Sequence, residues 1–217
     1  MISFISLLLI AQPDIGQTLL VVFCWAVLIF TSGINIYILL AIFIAGAFLL
    51  TYLIIYVPRF DYIQGRIFSF FNRETGTHNF QSDKAIESIT SGGFFGKGIG
   101  EGVLKNRVPE AHTDYIISVI SEEFGVVAII LILLLFLILI YMVFKKISFE
   151  TNDKVKLILI GSISLILMQA TIHVGVNIRL FPTTGMTLPF LSYGGSSIIS
   201  TSILGGIILN LTKRKIT

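Results

Sequence analysis

The chain of 217 residues is 55% apolar and only 12% charged, with a mean hydropathy of +0.94 and a formal charge of +3. A soluble domain carries roughly 25% charged residues, so the composition excludes one and specifies a membrane protein. The small positive balance sits at the ends of apolar runs and gives no basis for a nucleic-acid partner, while the single cysteine, Cys24, excludes an internal disulfide and a cysteine-based zinc site.

In chain order, the first apolar piece is Ile2–Ala11, about half of the roughly 20 residues that cross a hydrocarbon core. It lacks the basic start and small-residue cleavage site of a signal peptide, and is read as the remnant of a span whose beginning is missing. No charged residue falls between Asp14 and Arg59, which leaves room for two crossings, Thr18–Gly33 and Ile36–Val57, turning at "TSGIN". A long segment follows with seven basic and seven acidic side chains between 58 and 117. Within it Ala85, Ile86 and Ile89 share a helical face, and glycines at 92, 93, 96, 98, 100 and 102 then predict an interfacial or re-entrant element. Three more spans are expected at Ser118–Phe144, Leu157–Val176 and Leu191–Leu211. The fold class is therefore all-α, a polytopic transmembrane helical bundle of five full spans plus a partial N-terminal one. It divides into 1–57, a large external loop at 58–117, and 118–217.

Orientation follows from basic residues in short loops. Lys145, Lys146, Lys154 and Lys156 flank one connection, and Lys213, Arg214 and Lys215 form the tail. Both are expected on the cytoplasmic side, which places 58–117 and the Asn177–Phe190 loop outside. Long loops are largely exempt from the charge rule, so the mixed charge of 58–117 does not oppose this.

Ionisable chemistry concentrates in "PEAHTD", residues 109–114. Pro109 suits the first turn of a helix, and Glu110 and Asp114 would then stack at i,i+4. Such a pair serves as a base or a metal ligand, or simply complements the helix dipole. Glu122 and Glu123 lie deeper, where a charge must face a polar cavity, pair with a cation or snorkel to the interface. The glycine run with Lys97 is a weak phosphate motif, lacking a preceding strand and a Walker lysine. Gln169 and His173 are polar groups inside a span, and such a histidine is more often bonded to a neighbouring helix than part of a relay.

The segment "FPTTGMTLPFLSYGGSS", with Pro182 and Pro189 flanking "TTGMTL", resembles the C-terminal signature of the SEDS family of polytopic bacterial proteins (shape, elongation, division and sporulation). "QPDIGQ" at 12–17, "SGGFFGKGIGEG" and "VPEAHTDYIISVISEEFG" resemble three further motifs of that family, in the family's order, so the resemblance covers essentially the whole chain. "PEAHTD" and "GMTLP" are more similar to the cell-division members than to the elongation members. Thr184 stands where division members commonly carry a lysine. The family has about ten spans, and the first four and part of the fifth have no counterpart here.

The resemblance implies a peptidoglycan glycosyltransferase that polymerises lipid II on the outer face of the bacterial cytoplasmic membrane. Its implied partners are a class B penicillin-binding protein, other membrane proteins of the division machinery and the lipid bilayer. The family's essential acid maps onto Asp114, as catalytic base or as ligand of a divalent cation, magnesium or manganese. Expected around the substrate are Glu110, His112, Lys97, Arg107, Arg179, Thr183 and Ser192, the cations stabilising a leaving pyrophosphate. The competing readings are a lipid II transporter, a scaffold without chemistry, and an inactive fragment of the enzyme. Transport would require polar groups spread through the bilayer depth.

Overall fold

The computed structural model describes residues 2–12, 14–71, 77–104 and 108–213. Those residues form α1 (Ile2–Ala11), α2 (Ile15–Thr31), α3 (Ile36–Tyr56), a 3-10 turn at Pro58–Phe60, α4 (Asp61–Phe71), α5 (Thr77–Gly92), α6 (Ile116–Phe149), α7 (Asp153–Asn177) and α8 (Gly195–Thr212). Helices α3, α6, α7 and α8 are long and apolar enough to cross a bilayer. The protein is a multi-pass integral membrane protein. The expected span at 18–33 is realised as α2, a shorter apolar helix of 17 residues, at the lower limit for a crossing.

Helix starts follow short polar side chains that accept an otherwise unpaired backbone N–H. Asp14 accepts from Gln17 N at 3.0 Å to start α2, Asn35 from Tyr37 N at 3.0 Å to start α3, and Asn152 from Lys154 N at 3.0 Å to start α7. Packing is uneven. α7 is the central element, against α2, α6 and α8, whereas α3 fully buries only Leu39 and leaves most of its surface exposed apart from its contacts with α2, the 3-10 turn and α4. Because lipid is as apolar as the side chains, contact between spans rests on close fit at small residues. Gly161 of α7 is such a place, since a Cβ there would stand 3.3 Å from Leu28 of α2.

The segment 58–117 folds back on the bundle. α4 bridges α3 and α5, and α5 lies along α6 and against α7. α6 is broken at Gly125 (φ 76°, ψ −178°), and the break is filled by the glycine segment through an exchange of backbone partners. Val126 N and Val127 N donate to Gly93 O and Phe94 O at 3.0 and 3.3 Å, while the carbonyls of Glu122 and Glu123 accept from Lys97 N and Gly98 N at 2.9 and 3.0 Å. Non-helical backbone at this depth is tolerated only when its polar groups are satisfied by protein. The approach requires glycine on both sides: a Cβ on Gly125 would meet Phe94 O at 2.2 Å, and one on Gly96 would meet Glu123 O at 2.2 Å.

Candidate active site

The "PEAHTD" segment is a closed turn and not the first turn of a helix. Val108, Ala111 and Tyr115 are buried in a cluster with Leu20, Ile172 and Met186, which leaves Pro109, Glu110 and His112 exposed. Glu110 adopts a left-handed backbone, φ 53°, uncommon for a residue with a side chain. Its carbonyl accepts from Thr113 N at 3.1 Å and Asp114 N at 3.0 Å. The next carbonyls are captured from elsewhere: His112 O by Tyr193 N at 2.9 Å, Thr113 O by the Ser192 hydroxyl at 2.7 Å, and Asp114 O by Asn177 Nδ2 at 3.0 Å. Taken by these donors, they make no helical bonds, so α6 begins only at Ile116. The expected stacking of Glu110 and Asp114 on a helix face is replaced by this turn.

Around Asp114 the motifs of the sequence converge. Asp114 Oδ2 lies 3.6 Å from the position a Cβ on Gly185 would take, and a Cβ on Gly16 would stand 2.9 Å from Met186 Cγ and 3.2 Å from Thr184 Cβ. The "PDIG" and "TTGM" segments therefore touch, and "TTGM" borders the catalytic candidate. Arg66 of α4 donates from Nη1 to Thr183 O at 2.7 Å. From the other side, His173 Nδ1 lies 2.7 Å from Met186 O, and Gln169 Nε2 donates to Thr187 O at 2.9 Å. An opening of about 380 Å³ beside the turn is lined by His112, Ile116, Leu191 and Tyr193. A groove of about 430 Å³ between α6 and α7 is lined by apolar residues such as Ile129, Phe136 and Val174, and no candidate site residue reaches it.

The electrostatics set Asp114 apart. Burial raises its pKa above the usual carboxylate value, Glu110 raises it further, and Arg66 and the Thr113 hydroxyl oppose the rise. The Arg66 guanidinium is pulled down by burial and held up by Tyr115, Asp114 and Asp14; an arginine so placed remains charged. Tyr115, buried beside Asp114, has its phenol pushed up by burial.

The remaining expected residues divide into those brought to the turn and those engaged elsewhere. Thr183 meets Arg66 through its carbonyl. Ser192 is 2% exposed, and its hydroxyl both accepts from Leu188 N at 2.8 Å and donates to Thr113 O, so it acts as a strut. Lys97 pairs with Glu122 Oε1 at 3.3 Å, and Arg179 with Asp83. Arg107 lies outside the described residues. Glu122 is fully buried, accepting from Val103 N and Leu104 N at 3.0 Å each and from the Ser88 hydroxyl at 3.1 Å. It is a carboxylate bonded by protein and paired with a cation, so it holds the glycine segment to α6. Among the described residues no group of three His, Cys, Asp or Glu side chains is placed to hold a metal.

Two residues escaped the sequence reading. Arg66 could have been found as the basic residue of an amphipathic stretch, "DYIQGRIFSFF", directly after a span. Asn177 carried no signal, since a polar residue at the end of a span is commonplace.

The family described as cell cycle proteins, FtsW/RodA/SpoVE, matches residues 1–216. The chain belongs to that family. Among curated relatives, a probable peptidoglycan glycosyltransferase FtsW of Caulobacter vibrioides is 35% identical over 96% of this chain and 52% of its own length. One of Francisella salina is 36% identical over 97% of this chain and 53% of its own length. The chain thus spans about half the length of these FtsW/RodA/SpoVE relatives. Of the solved structures, one described as a peptidoglycan synthase complex coordinating polymerization and crosslinking matches all of this chain and 62% of its own, at 27% identity and a TM-score of 0.74. The rod shape determining protein RodA of Thermus thermophilus, in an Asp-to-Ala form, matches 98% of this chain and 54% of its own, at 27% identity and a TM-score of 0.63.

Proposed function

We propose that this chain carries the polymerising site of a peptidoglycan glycosyltransferase of cell division. It acts on lipid II at the outer face of the bacterial cytoplasmic membrane, alongside a class B penicillin-binding protein and other division proteins. The observation that carries the reading is Asp114 itself, a part-buried carboxylate at the mouth of a membrane helix, in a turn whose carbonyls are held by donors from two segments, 192–193 and the end of α7, and within the electrostatic influence of Arg66.

The chemistry requires a base and a cation. The 4-hydroxyl of the acceptor sugar gives its proton to Asp114 as its oxygen bonds to the anomeric carbon of the donor. The bond from that carbon to the pyrophosphate oxygen breaks, and the lipid pyrophosphate leaves with the electron pair. A raised carboxylate pKa makes a better base at neutral pH. Arg66, bonded to Thr183 O and within electrostatic range of Asp114, is the cation nearest the reacting groups and would stabilise the leaving pyrophosphate; Lys97 and Arg179 hold Glu122 and Asp83. Were a divalent cation, magnesium or manganese, part of the reaction, Asp114 is the residue that would hold it, with substrate phosphates completing the set. Bound there, it would act as a Lewis acid on the pyrophosphate.

Gln169 and His173, two of the polar groups within the spans, are bonded to the 186–187 backbone, which favours chemistry at one face over transport through the bilayer. The test is glycan-chain formation from purified lipid II. It would be run with this chain in vesicles, with and without the remaining length of a relative as a second polypeptide, and with Asp114→Ala. Polymer from the unchanged assembly and none from Asp114→Ala is expected; equal polymer from both would overturn the reading.

A further inference from the structure

The exchange of backbone bonds at Gly125 leaves three large apolar side chains facing outward: Phe94, Phe95 and Ile99 are 75%, 85% and 78% exposed. Their height can be counted. Phe144 is the last apolar residue of α6 before Lys145 and Lys146, and about 20 residues at about 1.5 Å each cross the hydrocarbon core. Counting back from Phe144 ends at Gly125, so the break stands at the hydrocarbon edge. The bonds from Val126 N and Val127 N to Gly93 O and Phe94 O fix the glycine segment at that level. The patch is also continuous with the lipid-facing belt of α6, where Phe124, Val127, Ile130 and Leu131 are all exposed.

We propose that Phe94, Phe95 and Ile99 are seated in the bilayer leaflet on the Asp114 side, as a wedge that sets the height of α5 and of the Asp114 turn above the lipid headgroups. Phe and aliphatic side chains on interfacial elements bury at the headgroup–acyl boundary, and an apolar patch of this kind otherwise marks an aggregation liability in water. Lys97, between the aromatic pair and Ile99, is turned back to Glu122 and brings no unpaired charge into the leaflet. Glu122 and the backbone of Glu123 hold the wedge from behind. The seating depends on the membrane and on helix geometry and not on the chemistry at Asp114, so its failure and that of the proposed activity are separable.

The chain has one tryptophan, so Phe95→Trp in a Trp25→Phe background gives a single reporter. In vesicles of phosphatidylethanolamine and phosphatidylglycerol, its emission is expected to be blue-shifted. Most of it should be lost when bromines are placed on the shallow acyl carbons, with little effect of aqueous iodide. Emission typical of indole in water, quenched by iodide and untouched by bromines, would overturn the proposal and leave a surface for a water-soluble protein partner. A nitroxide on Ile99→Cys in a Cys24→Ser background decides the question independently. Greater accessibility to oxygen than to a water-soluble nickel chelate is expected, and the reverse order would refute the seating.

Discussion

The hydroxyl of Ser192 donates to the carbonyl of Thr113 at 2.7 Å across 79 residues of sequence, while its oxygen accepts from Leu188 N. One buried side chain thus joins the "PFLSYGG" segment to the turn that carries Asp114. Ser192→Ala leaves a buried donor and a buried acceptor without partners, at a cost of about 1–3 kcal/mol each. The expected result is a lower melting temperature in detergent and a reduced kcat with KM nearly unchanged. Asn177→Ala, which releases Asp114 O, should behave in the same way. A rise in KM with kcat preserved would instead make Ser192 a substrate contact.

Asp114→Asn should suppress polymerisation by about 10²–10⁴-fold, the usual range for loss of a general base, while the protein stays folded and inserted. Folding raises the pKa of Asp114, chiefly by burial, so the ionised form is disfavoured in the native state. The stability Asp114 contributes is present below its unfolded pKa and is lost as pH rises through the folded one. At neutral pH Asp114→Asn should therefore melt no lower than the unchanged protein, and this advantage should vanish in acid. A clearly lower melting temperature at neutral pH would contradict this account of the carboxylate.

The acid limb of the rate profile should follow Asp114 and lie above the usual carboxylate range, since burial and then Glu110 push the pKa up. Glu110→Gln removes a charge that raises it, so the limb should move to lower pH. Arg66→Gln removes a charge that lowers it, so the limb should move to higher pH, with a fall in maximal rate from the lost cation. Rate profiles at low ionic strength check this. Displacement of both limbs in one direction would show that Asp114 is not the titrating base.

Topology is testable in spheroplasts with single cysteines in a Cys24→Ser background. Glu101→Cys, in the glycine segment, should react with an impermeant maleimide from outside. Thr151→Cys, in the connection between Lys146 and Lys154, should react only after permeabilisation. The opposite pattern would invert the protein and put Asp114 on the cytoplasmic face.

The apolar helices and their approximate limits are legible in the sequence, with starts displaced by a few residues everywhere but at Ile2 and Ile36. Ile36–Val57 was read from an uninterrupted apolar run, and α3 is Ile36–Tyr56. Run length and hydropathy are local properties, each expressed without reference to the rest of the chain. The chemically dense turn was also visible, because ionisable residues in an apolar chain stand out whatever surrounds them. Tertiary structure alone decided which partners those residues meet. That Lys97 and Arg179 are paired with Glu122 and Asp83, that Ser192 bonds both Leu188 N and Thr113 O, and that Arg66 reaches Thr183 O depend on segments meeting from far apart. Arg66 and Thr183 are 117 residues apart and Asn177 and Asp114 are 63 apart. A side chain's polarity fixes that it needs a partner when buried; only the packing of α4, α6 and α7 around one turn fixes which partner it finds.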